Sequence, residues 1–251
     1  MTDDVAIVTA GRPEILVAWF RAFLRSPSRG KFHVHVGNDG SFPGLFLSRL
    51  AALPDVSVFD YALPRGLFPG EDEHHAGWAS KPTAMLHCPT RWCLWLDHDC
   101  EVLGDLSPIA EHAIATGKWL SAPFYSSFGT ARYEGTRITQ NGLCVVDTQS
   151  PQLRRWRDIM PALRDSNDET ALLSLYGGYP SAAAADFCDL YRPAWYASPD
   201  CFLVRRKGWS AAATAMQSLS PPPVVRHWTS ARGKQRFRDL HPGHRFRMEP
   251  Q

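Results

Sequence analysis

The first part of the chain alternates between short apolar segments with the pattern of strands and longer segments with apolar residues at helical spacing. In chain order these are a strand pattern at Val5–Thr9, a helix pattern at Ile15–Leu24, a strand pattern at Phe32–Val36, a helix pattern at Gly44–Leu53 and a strand pattern at Val56–Phe59. Pro13 suits the first turn of the first helix, where a backbone N–H is not needed. Strands that alternate with helices over short connections predict a mostly parallel sheet in an α/β fold.

Residues 61–80 interrupt this alternation with Gly and Pro turns and a run of acidic residues and histidines. A loop of this length inside a compact domain is usually functional, and we expect it to become ordered only when a ligand binds. Glu71 to His75 could hold a metal ion, but adjacent side chains of a loop rarely converge on one ion, which favours a solvated loop. A helix pattern at Pro82–His87 and a strand pattern at Arg91–Leu96 follow.

The composition limits the size of the domain and the class of ligand it can bind. The length of 251 residues is enough for one α/β domain with a sizeable core. A net charge of +2 gives no overall attraction to nucleic acid or to an anionic membrane. The segment after Cys201, however, is rich in Lys and Arg and poor in acidic residues. It therefore suits an anionic ligand, with a solvated basic tail as the alternative.

The targeting and cysteine patterns favour a cytoplasmic protein. The N-terminus lacks the basic and apolar regions of a signal peptide, and no apolar run approaches the roughly 20 residues that span a bilayer. The six cysteines include no C-x-x-C pair. We therefore expect reduced thiols that pack as small apolar side chains, and no disulfide framework or zinc site.

Two aspartates, Asp97 and Asp99, come directly after the apolar and aromatic strand pattern at Arg91–Leu96. In open α/β sheets, ligands bind beyond the carboxyl ends of the strands. Two carboxylates there can hold one hard divalent cation such as Mg²⁺ or Mn²⁺. Such a cation suits the departure of a diphosphate, because it neutralises charge on the leaving group. An Asp-x-Asp pair also occurs by chance, so the polar end of a core strand is the structural alternative.

The segment Leu94–Ile109 resembles the Asp-x-Asp segment of GT-A glycosyltransferases, and it is most similar to that of glycosyltransferase family 8, the glycogenin-like enzymes. Three later segments resemble further motifs of that family in the same chain order. They are Gln140–Asp147, similar to the strand beside the donor sugar, Asp168–Leu173, similar to a helix start in the site, and Val225–Trp228, similar to the strand with a histidine ligand. The resemblance implies a GT-A (Rossmann-like) fold in a single domain, with a nucleotide-binding half (1–103) and an acceptor-side half (104–251).

The resemblance also implies a cofactor, Mn²⁺ or Mg²⁺, and a nucleoside-diphosphate sugar as donor, with UDP favoured. The metal ligands would be Asp97, Asp99 and His227, and the candidate catalytic carboxylates are Asp168 and Glu169. The donor would contact Thr9, Ala10, Gly11, Arg12, Asn38, Asp39, Lys81, Leu96, His98, Asn141, Gly142, Arg232 and Lys234, with Arg226 also beside the diphosphate. Side chains alternate along an extended chain, so we expect His98 to point away from the two aspartates and to shape the backbone or contact ribose.

Several of these residues have ordinary structural alternatives. Asn-Asp-Gly sequences form tight turns, an acidic residue at a helix start favours the helix without any catalysis, and a buried histidine or a surface lysine needs no ligand. These alternatives apply to Asn38 and Asp39, to Asn141, to Asp168 and Glu169, to His227 and to Lys81.

The sequence departs from the family 8 pattern in three places. Lys234 lies one residue further from His227 than in the family, no Pro-Trp pair follows it, and Glu169 replaces a glutamine. The turn at Gly37–Ser41 is more similar to that of family 2 enzymes. The resemblance to the GT-A superfamily is therefore closer than the resemblance to any one family.

Three other functions are alternatives to a glycosyltransferase. A nucleotidyltransferase shares the fold class, but its first loop is usually richer in Gly and basic residues than Thr9–Pro13. A phosphatase of the haloacid dehalogenase type would carry Thr where Glu101 stands and would place the pair near the chain start. A non-catalytic nucleotide-sugar-binding protein would not need an intact metal triad. The sequence does not identify the acceptor, which could be a glycan, a small molecule or a peptide, and nothing in it predicts a nucleic-acid partner.

Overall fold

A computed structural model of the chain describes residues 4–62, 80–126, 137–139, 141–160, 168–175, 189–191, 196–197, 214, 217–220 and 222–242. Within these ranges the chain forms two β-sheets, and helices cover both faces of the larger one. Most of the loop between 61 and 80, including Glu71 to His75, lies outside the described residues. Its ordering on ligand binding therefore stays a prediction.

The larger sheet has eight strands. They are β1 (Val5–Ala10), β2 (His33–Asn38), β3 (Val56–Asp60), β4 (Trp92–Leu96), β6 (Leu120–Ser126), β7 (Arg137–Thr139), β8 (Leu143–Asp147) and β9 (Asp189–Tyr191). The order is β3-β2-β1-β4-β8-β6-β7, with β9 alongside β6. The first four strands are parallel, whereas β8 runs antiparallel to both β4 and β6. The predicted mostly parallel sheet of an α/β fold is confirmed.

Helices with a described range follow or connect these strands. They are α1 (Pro13–Phe23), α2 (Gly44–Ala51), α3 (which includes residues 80–85), α4 (Ser107–Thr116), α5 (Pro151–Ile159), α6 (Asp168–Leu175) and α7 (Ser230–Leu240). The sequence predicted the start of α3 at Pro82, at least two residues too late, because residue 80 is already helical. Lys81 therefore lies inside this helix and not ahead of it.

The central strands of the larger sheet, β1, β4 and β8, are buried on both faces, which explains their continuous apolar sequences. Ile7 packs into the core on one side with Trp19 of α1, whereas its neighbour Val8 packs on the other side with Trp156 of α5. Adjacent residues of a strand point to opposite faces, so both had to be apolar. Because both faces are covered, polar side chains can gather only at the ends of the strands.

A small second sheet joins the C-terminal part of the chain to the Asp-x-Asp region. Its strands are β5 (Cys100–Val102), β10 (Tyr196–Ala197) and β11 (Val225–His227). β11 pairs with β5 in antiparallel register, with Arg226 opposite Glu101 and His227 opposite Cys100. A Cβ atom on Gly233 would lie 2.6 Å from the Trp228 carbonyl oxygen. Helix α7 can therefore pack this closely against the end of β11 only because residue 233 is glycine.

The described cysteines match the expectation from sequence. Cys88, Cys93, Cys100 and Cys144 are buried free thiols. No helix in the described part of the chain is both long enough and apolar enough to span a bilayer.

Candidate metal and donor site

A tight turn joins β4 to β5 and carries the two aspartates. The Asp97 N–H donates to the Gly142 carbonyl at 2.8 Å, and the Asp97 carbonyl accepts from the Cys100 N–H at 2.9 Å. The first bond holds Asp97 to the residue that precedes β8. The second closes a turn between the end of β4 and the start of β5 at Cys100. Both carboxylates are thereby placed at the carboxyl end of the parallel strands, where the sequence predicted a ligand site.

His227 comes to the same point from the far end of the chain. Its Nε2 lies 2.9 Å from Asp99 Oδ1 and 3.7 Å from Asp97 Oδ2. Burial alone would raise the pKa of Asp99, but the adjacent imidazole outweighs it and holds that pKa far below its usual range. Burial would also lower the pKa of His227, but the Asp99 carboxylate outweighs it and raises that pKa. The pair is therefore stabilised in its charged form.

The side chains at this point fit a hard or borderline divalent cation. Carboxylate oxygens are the ligands that Mg²⁺ and Mn²⁺ prefer, and Mn²⁺ also accepts a neutral imidazole. Asp99, Cys100 and His227 offer ligand atoms within 4.8 Å of one another. Burial raises the pKa of the Cys100 thiol well above its usual value, and this thiol donates to the Gly142 carbonyl at 3.2 Å. Asp97, Asp99 and His227 are therefore a better ligand set than one that includes the thiol.

Lys81 connects the aspartate pair to α6. Its Nζ lies 2.6 Å from Asp168 Oδ2 and 3.1 Å from Asp97 Oδ1, and it donates to the Asn141 carbonyl at 3.1 Å. Burial would lower the pKa of Lys81, but the Asp168 and Asp97 carboxylates outweigh it and raise that pKa well above its usual value. The lysine is thus a buried, permanent cation between two carboxylates, and not a surface lysine.

Two buried oxygen atoms at this edge of the sheet have no hydrogen-bond partner among the described residues. They are Asn141 Oδ1 and Thr9 Oγ1, and both side chains are fully buried. The amide group of Asn141 donates to Asp168 Oδ2 at 3.4 Å, which orients the residue and leaves its oxygen available. A buried acceptor without a partner is costly. Hydroxyl groups of a ligand are suitable donors for such atoms.

The first loop lies directly against the aspartate turn. His98 Nδ1 is 3.2 Å from the Ala10 carbonyl oxygen. A Cβ on Gly11 would lie 2.3 Å from the same ring atom, so only glycine permits this approach. Burial lowers the pKa of His98, which keeps the ring neutral. The imidazole therefore holds the first loop in place beside the aspartates.

Asn38 and Asp39, which were predicted to contact a nucleobase, form hydrogen bonds within and beside the turn after β2. Asn38 donates to Asp60 Oδ1 at 2.7 Å and accepts from the Gly40 and Phe42 N–H groups. Asp39 accepts from the Ser41 N–H at 3.0 Å. Both side chains therefore form an Asx-type turn, and a contact with the base stays a prediction.

A shallow cavity of about 580 Å³ lies next to this turn, at the starts of α1 and α2. It is lined by Arg12, Pro13, Glu14, Val17, Ser41 and Pro43. Arg12 is the member of this set that the sequence assigned to donor binding. Leu96 is buried in the core, so that only its backbone is available to a ligand.

The basic residues near the C-terminus divide into two groups. Lys234 Nζ lies 3.6 Å from Asp99 Oδ2, at the candidate metal site, and Arg232 is exposed on the same helix. Arg226, which was expected beside the diphosphate, instead pairs with Glu101 at 3.1 Å. Adjacent residues of a strand face opposite ways, so β11 cannot direct both Arg226 and His227 into the site.

The two candidate catalytic carboxylates have different surroundings. Asp168, the first residue of α6, is buried against Lys81, whereas Glu169 is half-buried. The Trp156 indole donates to the Asp168 carbonyl at 3.2 Å and so holds the start of α6 against α5. Of the two carboxylates, Asp168 is the one that shares Lys81 with Asp97 and accepts a hydrogen bond from Asn141.

Sequence reasoning missed two contributors to this region. Trp95 donates to Asp97 Oδ1 at 2.6 Å. Glu101 accepts hydrogen bonds from Arg226 and Trp228 and lies 2.9 Å from His241 Nε2. The first could have been found from the strand period, since residues 95 and 97 share a face. The second depends on pairing with a segment more than a hundred residues away, for which the sequence carries no signal.

Solved glycosyltransferases have the same fold. The galactosyltransferase LgtC, solved in complex with donor and acceptor sugar analogs, aligns over 94% of this chain and 95% of its own, with 16% identity and a TM-score of 0.63. GlyE from Streptococcus pneumoniae TIGR4 aligns over 94% of this chain and 60% of its own, with 16% identity and a TM-score of 0.60. Mouse xyloside xylosyltransferase 1 aligns over 92% of this chain and 99% of its own, with 11% identity and a TM-score of 0.58.

No protein-family model and no curated protein sequence matches this chain. At such low identities the structural likeness establishes the fold alone. It confirms the predicted GT-A α/β fold, while membership of family 8 stays a prediction.

Proposed function

We propose that this protein is a metal-dependent glycosyltransferase that moves a sugar from a UDP-sugar to a hydroxyl group of a glycan. The observation that carries the proposal is the convergence of Asp97, Asp99 and His227 at the carboxyl end of the sheet. The donor and acceptor sugar analogs in the LgtC complex support a sugar donor and a sugar acceptor.

Asp97, Asp99 and His227 would hold Mn²⁺ or Mg²⁺, and a bound cation supplies positive charge that stabilises a departing diphosphate. The protein adds charge of its own. Lys234, paired only loosely with Asp99 at 3.6 Å, can turn to a phosphate oxygen of the donor. Arg232, exposed on the same helix, extends this positive surface. Phosphate oxygens are strong acceptors for both cations.

The sugar would lie between the aspartate turn and α6. Asn141 Oδ1, which lacks a partner among the described residues, is an acceptor for a sugar hydroxyl. Asp168 is the carboxylate nearest to this position, because it contacts both Asn141 and Lys81. It would orient the reacting sugar or accept a proton from the acceptor hydroxyl. Residues 1–103 would then form the nucleotide-binding half and residues 104–251 the acceptor side.

A transfer assay tests the proposal directly. The protein is incubated with UDP-hexoses, Mn²⁺ and a panel of glycans, and UDP release and product mass are measured. Transfer to a glycan supports the proposal, and release of pyrophosphate in a parallel incubation with a nucleoside triphosphate and a sugar phosphate would instead identify a nucleotidyltransferase. Binding of UDP-sugar and Mn²⁺ with neither transfer nor hydrolysis would identify a non-catalytic binding protein.

The catalytic carboxylate is tested with Asp168→Asn and its neighbour Glu169→Gln as the matched control. A residue that takes part in proton transfer contributes on the order of 10²-fold or more to the rate. We expect Asp168→Asn to lose transfer by that factor with UDP affinity nearly unchanged, and Glu169→Gln to lose much less. If both variants transfer at the wild-type rate, the catalytic group lies elsewhere.

A further inference from the structure

The two carboxylate oxygens of Asp97 have different neighbours. Oδ1 accepts from the Trp95 indole N–H at 2.6 Å and lies 3.1 Å from Lys81 Nζ. Oδ2 is 3.4 Å from the same ammonium and 3.7 Å from His227 Nε2. The ammonium therefore lies beside both oxygens, but the indole binds Oδ1 alone, and Oδ2 is the oxygen that faces the histidine. A carboxylate held in this way offers a single oxygen to a cation.

Trp95 is the more constant of the two groups that lie beside Oδ1. Lys81 is shared with Asp168, to which it lies closer, and with the Asn141 carbonyl. An ammonium on a flexible stem can move between such acceptors. The indole of Trp95 is 3% exposed and packed in the core, and it carries one donor and no acceptor.

The position of Trp95 in β4 explains why it reaches this oxygen. Residues 95 and 97 are two apart on an extended segment, so their side chains leave the chain on the same side. Trp95 also pairs across the sheet with Cys144 of β8. The ring therefore has packing on the sheet face while its N–H points to the strand end. Charge-assisted bonds of this length are among the stronger hydrogen bonds in proteins.

We infer that Trp95 is a positioning residue for the metal site: its indole N–H fixes the Asp97 carboxylate so that Oδ2 faces the point shared with Asp99 and His227. The inference rests on the proposed metal-dependent function. Groups that hydrogen-bond to metal ligands commonly contribute about 10- to 100-fold to metal affinity. Trp95 thus acts on the cation through Asp97, without touching cation or donor.

The test is Trp95→Phe, which removes the N–H and keeps an aromatic ring in the core. Mn²⁺ binding is measured from the electron paramagnetic resonance signal of free Mn²⁺, with and without UDP. We expect the Mn²⁺ dissociation constant of Trp95→Phe to rise about tenfold. The matched control is Trp19→Phe. Trp19 is also fully buried, and its Nε1 has no hydrogen-bond partner among the described residues, so the same loss of an indole there should leave Mn²⁺ affinity unchanged.

The outcomes separate this inference from the proposed function. Wild-type Mn²⁺ affinity in a folded Trp95→Phe protein overturns the role of Trp95 and leaves the proposed function standing. Absence of Mn²⁺ binding to the wild-type protein overturns both. Equal weakening in Trp95→Phe and Trp19→Phe assigns the effect to core packing and also overturns the role of Trp95.

A second measurement needs no variant, in case Trp95→Phe does not fold. In the wild-type protein labelled with ¹⁵N at the indoles, the Trp95 resonance is followed during titration with Mg²⁺, which is diamagnetic. A bond to a metal-ligating carboxylate should shift this resonance on binding, while the Trp19 resonance stays constant. An unchanged Trp95 resonance under saturating Mg²⁺ overturns the inference.

Discussion

Two buried acidic clusters lie within a few residues of each other, and their neighbours make them different in kind. On one side, Asp99 contacts His227 and Lys234; on the other, Glu101 is bound by Arg226, Trp228 and His241. Both carboxylates are less than a tenth exposed. In each cluster burial would raise the carboxyl pKa and the neighbouring donors lower it instead. By charge and burial alone the two clusters would be judged alike.

The two clusters differ in whether a cation can replace the partners of the carboxylate. Arg226 cannot deprotonate and Trp228 is a neutral donor in the core, so Glu101 keeps these two partners whatever the protonation state of His241. His227 can lose its proton, and the Lys234 side chain is 30% exposed, so the partners of Asp99 can be exchanged for a cation. A carboxylate whose partners are irreplaceable holds the fold together, whereas one with replaceable partners can serve a ligand. Four predictions test this comparison.

The largest effect is expected from Glu101→Leu. The substitution leaves Arg226, whose side chain is 12% exposed, without its carboxylate and removes the acceptor of Trp228. Breaking a buried ion pair from one side costs about 3–5 kcal/mol. Urea unfolding should show that loss in the free energy of unfolding. Glu101→Gln, which keeps an acceptor oxygen but loses the charge, should lose less, and equal losses would mean that the acceptor oxygen contributes nothing without the charge.

Asp99→Ala should have a smaller effect on stability and a larger effect on ligand binding. Its partners can adjust, because His227 deprotonates and Lys234 turns to solvent, so the free energy of unfolding should fall by less than in Glu101→Leu. A ligand at 100 times its dissociation constant stabilises the folded state by about 2.7 kcal/mol. That gain, measured by thermal shift with UDP and Mn²⁺, should be present in the wild type and absent in Asp99→Ala. A variant that keeps the shift would remove Asp99 from the metal site.

Lys234→Met should weaken UDP binding by about tenfold, since hydrogen bonds to charged groups contribute about 1.5–3 kcal/mol. Methionine keeps much of the apolar stem and removes the ammonium. Arg236→Met is the matched control, because Arg236 is exposed on the same helix and its substitution also removes one positive charge. Calorimetric titration with UDP and Mn²⁺ would distinguish the two. Equal weakening would point to overall charge instead of a specific contact.

The smallest effect is a pH dependence confined to the exchangeable cluster. Asp99 raises the pKa of His227 above its ordinary value of 6.5. Stabilisation by the charged pair is therefore complete below the ordinary pKa and is lost as pH rises through the folded-state pKa. Mn²⁺ needs the neutral imidazole, so its affinity should rise over the same window with release of a proton. Calorimetry in buffers of different ionisation enthalpy measures that proton, and a pH-independent affinity would exclude His227 as a ligand.

Local patterns in the sequence were sufficient to predict most of the elements described between residues 4 and 103. The alternation of strands and helices, the end of β4 and the aspartate pair all depend on residues a few positions apart. The hydrophobic period and the turn residues therefore determine them directly. The prediction was less accurate at α3, because the residues ahead of Pro82 gave no clear helical period.

Partners from distant segments could be predicted only through the family resemblance, or not at all. The chain has ten histidines, and nothing local distinguishes His227 from the rest. Likewise, Asp97, Asp99 and Glu101 are spaced two apart, and an unbroken strand would direct all three to one face. The turn at 97–99 and the register of β11 against β5 separate them.

By itself, then, the sequence determined the α/β fold class and the position of the two aspartates at a strand end, because those depend on local periodicity and on turn chemistry. The tertiary structure alone decided that Lys81 lies between Asp97 and Asp168, that Arg226 pairs with Glu101, and that the Trp95 indole holds one oxygen of Asp97. These contacts depend on which strands lie side by side and on which face each side chain leaves the sheet. That information arises only when distant segments pack together.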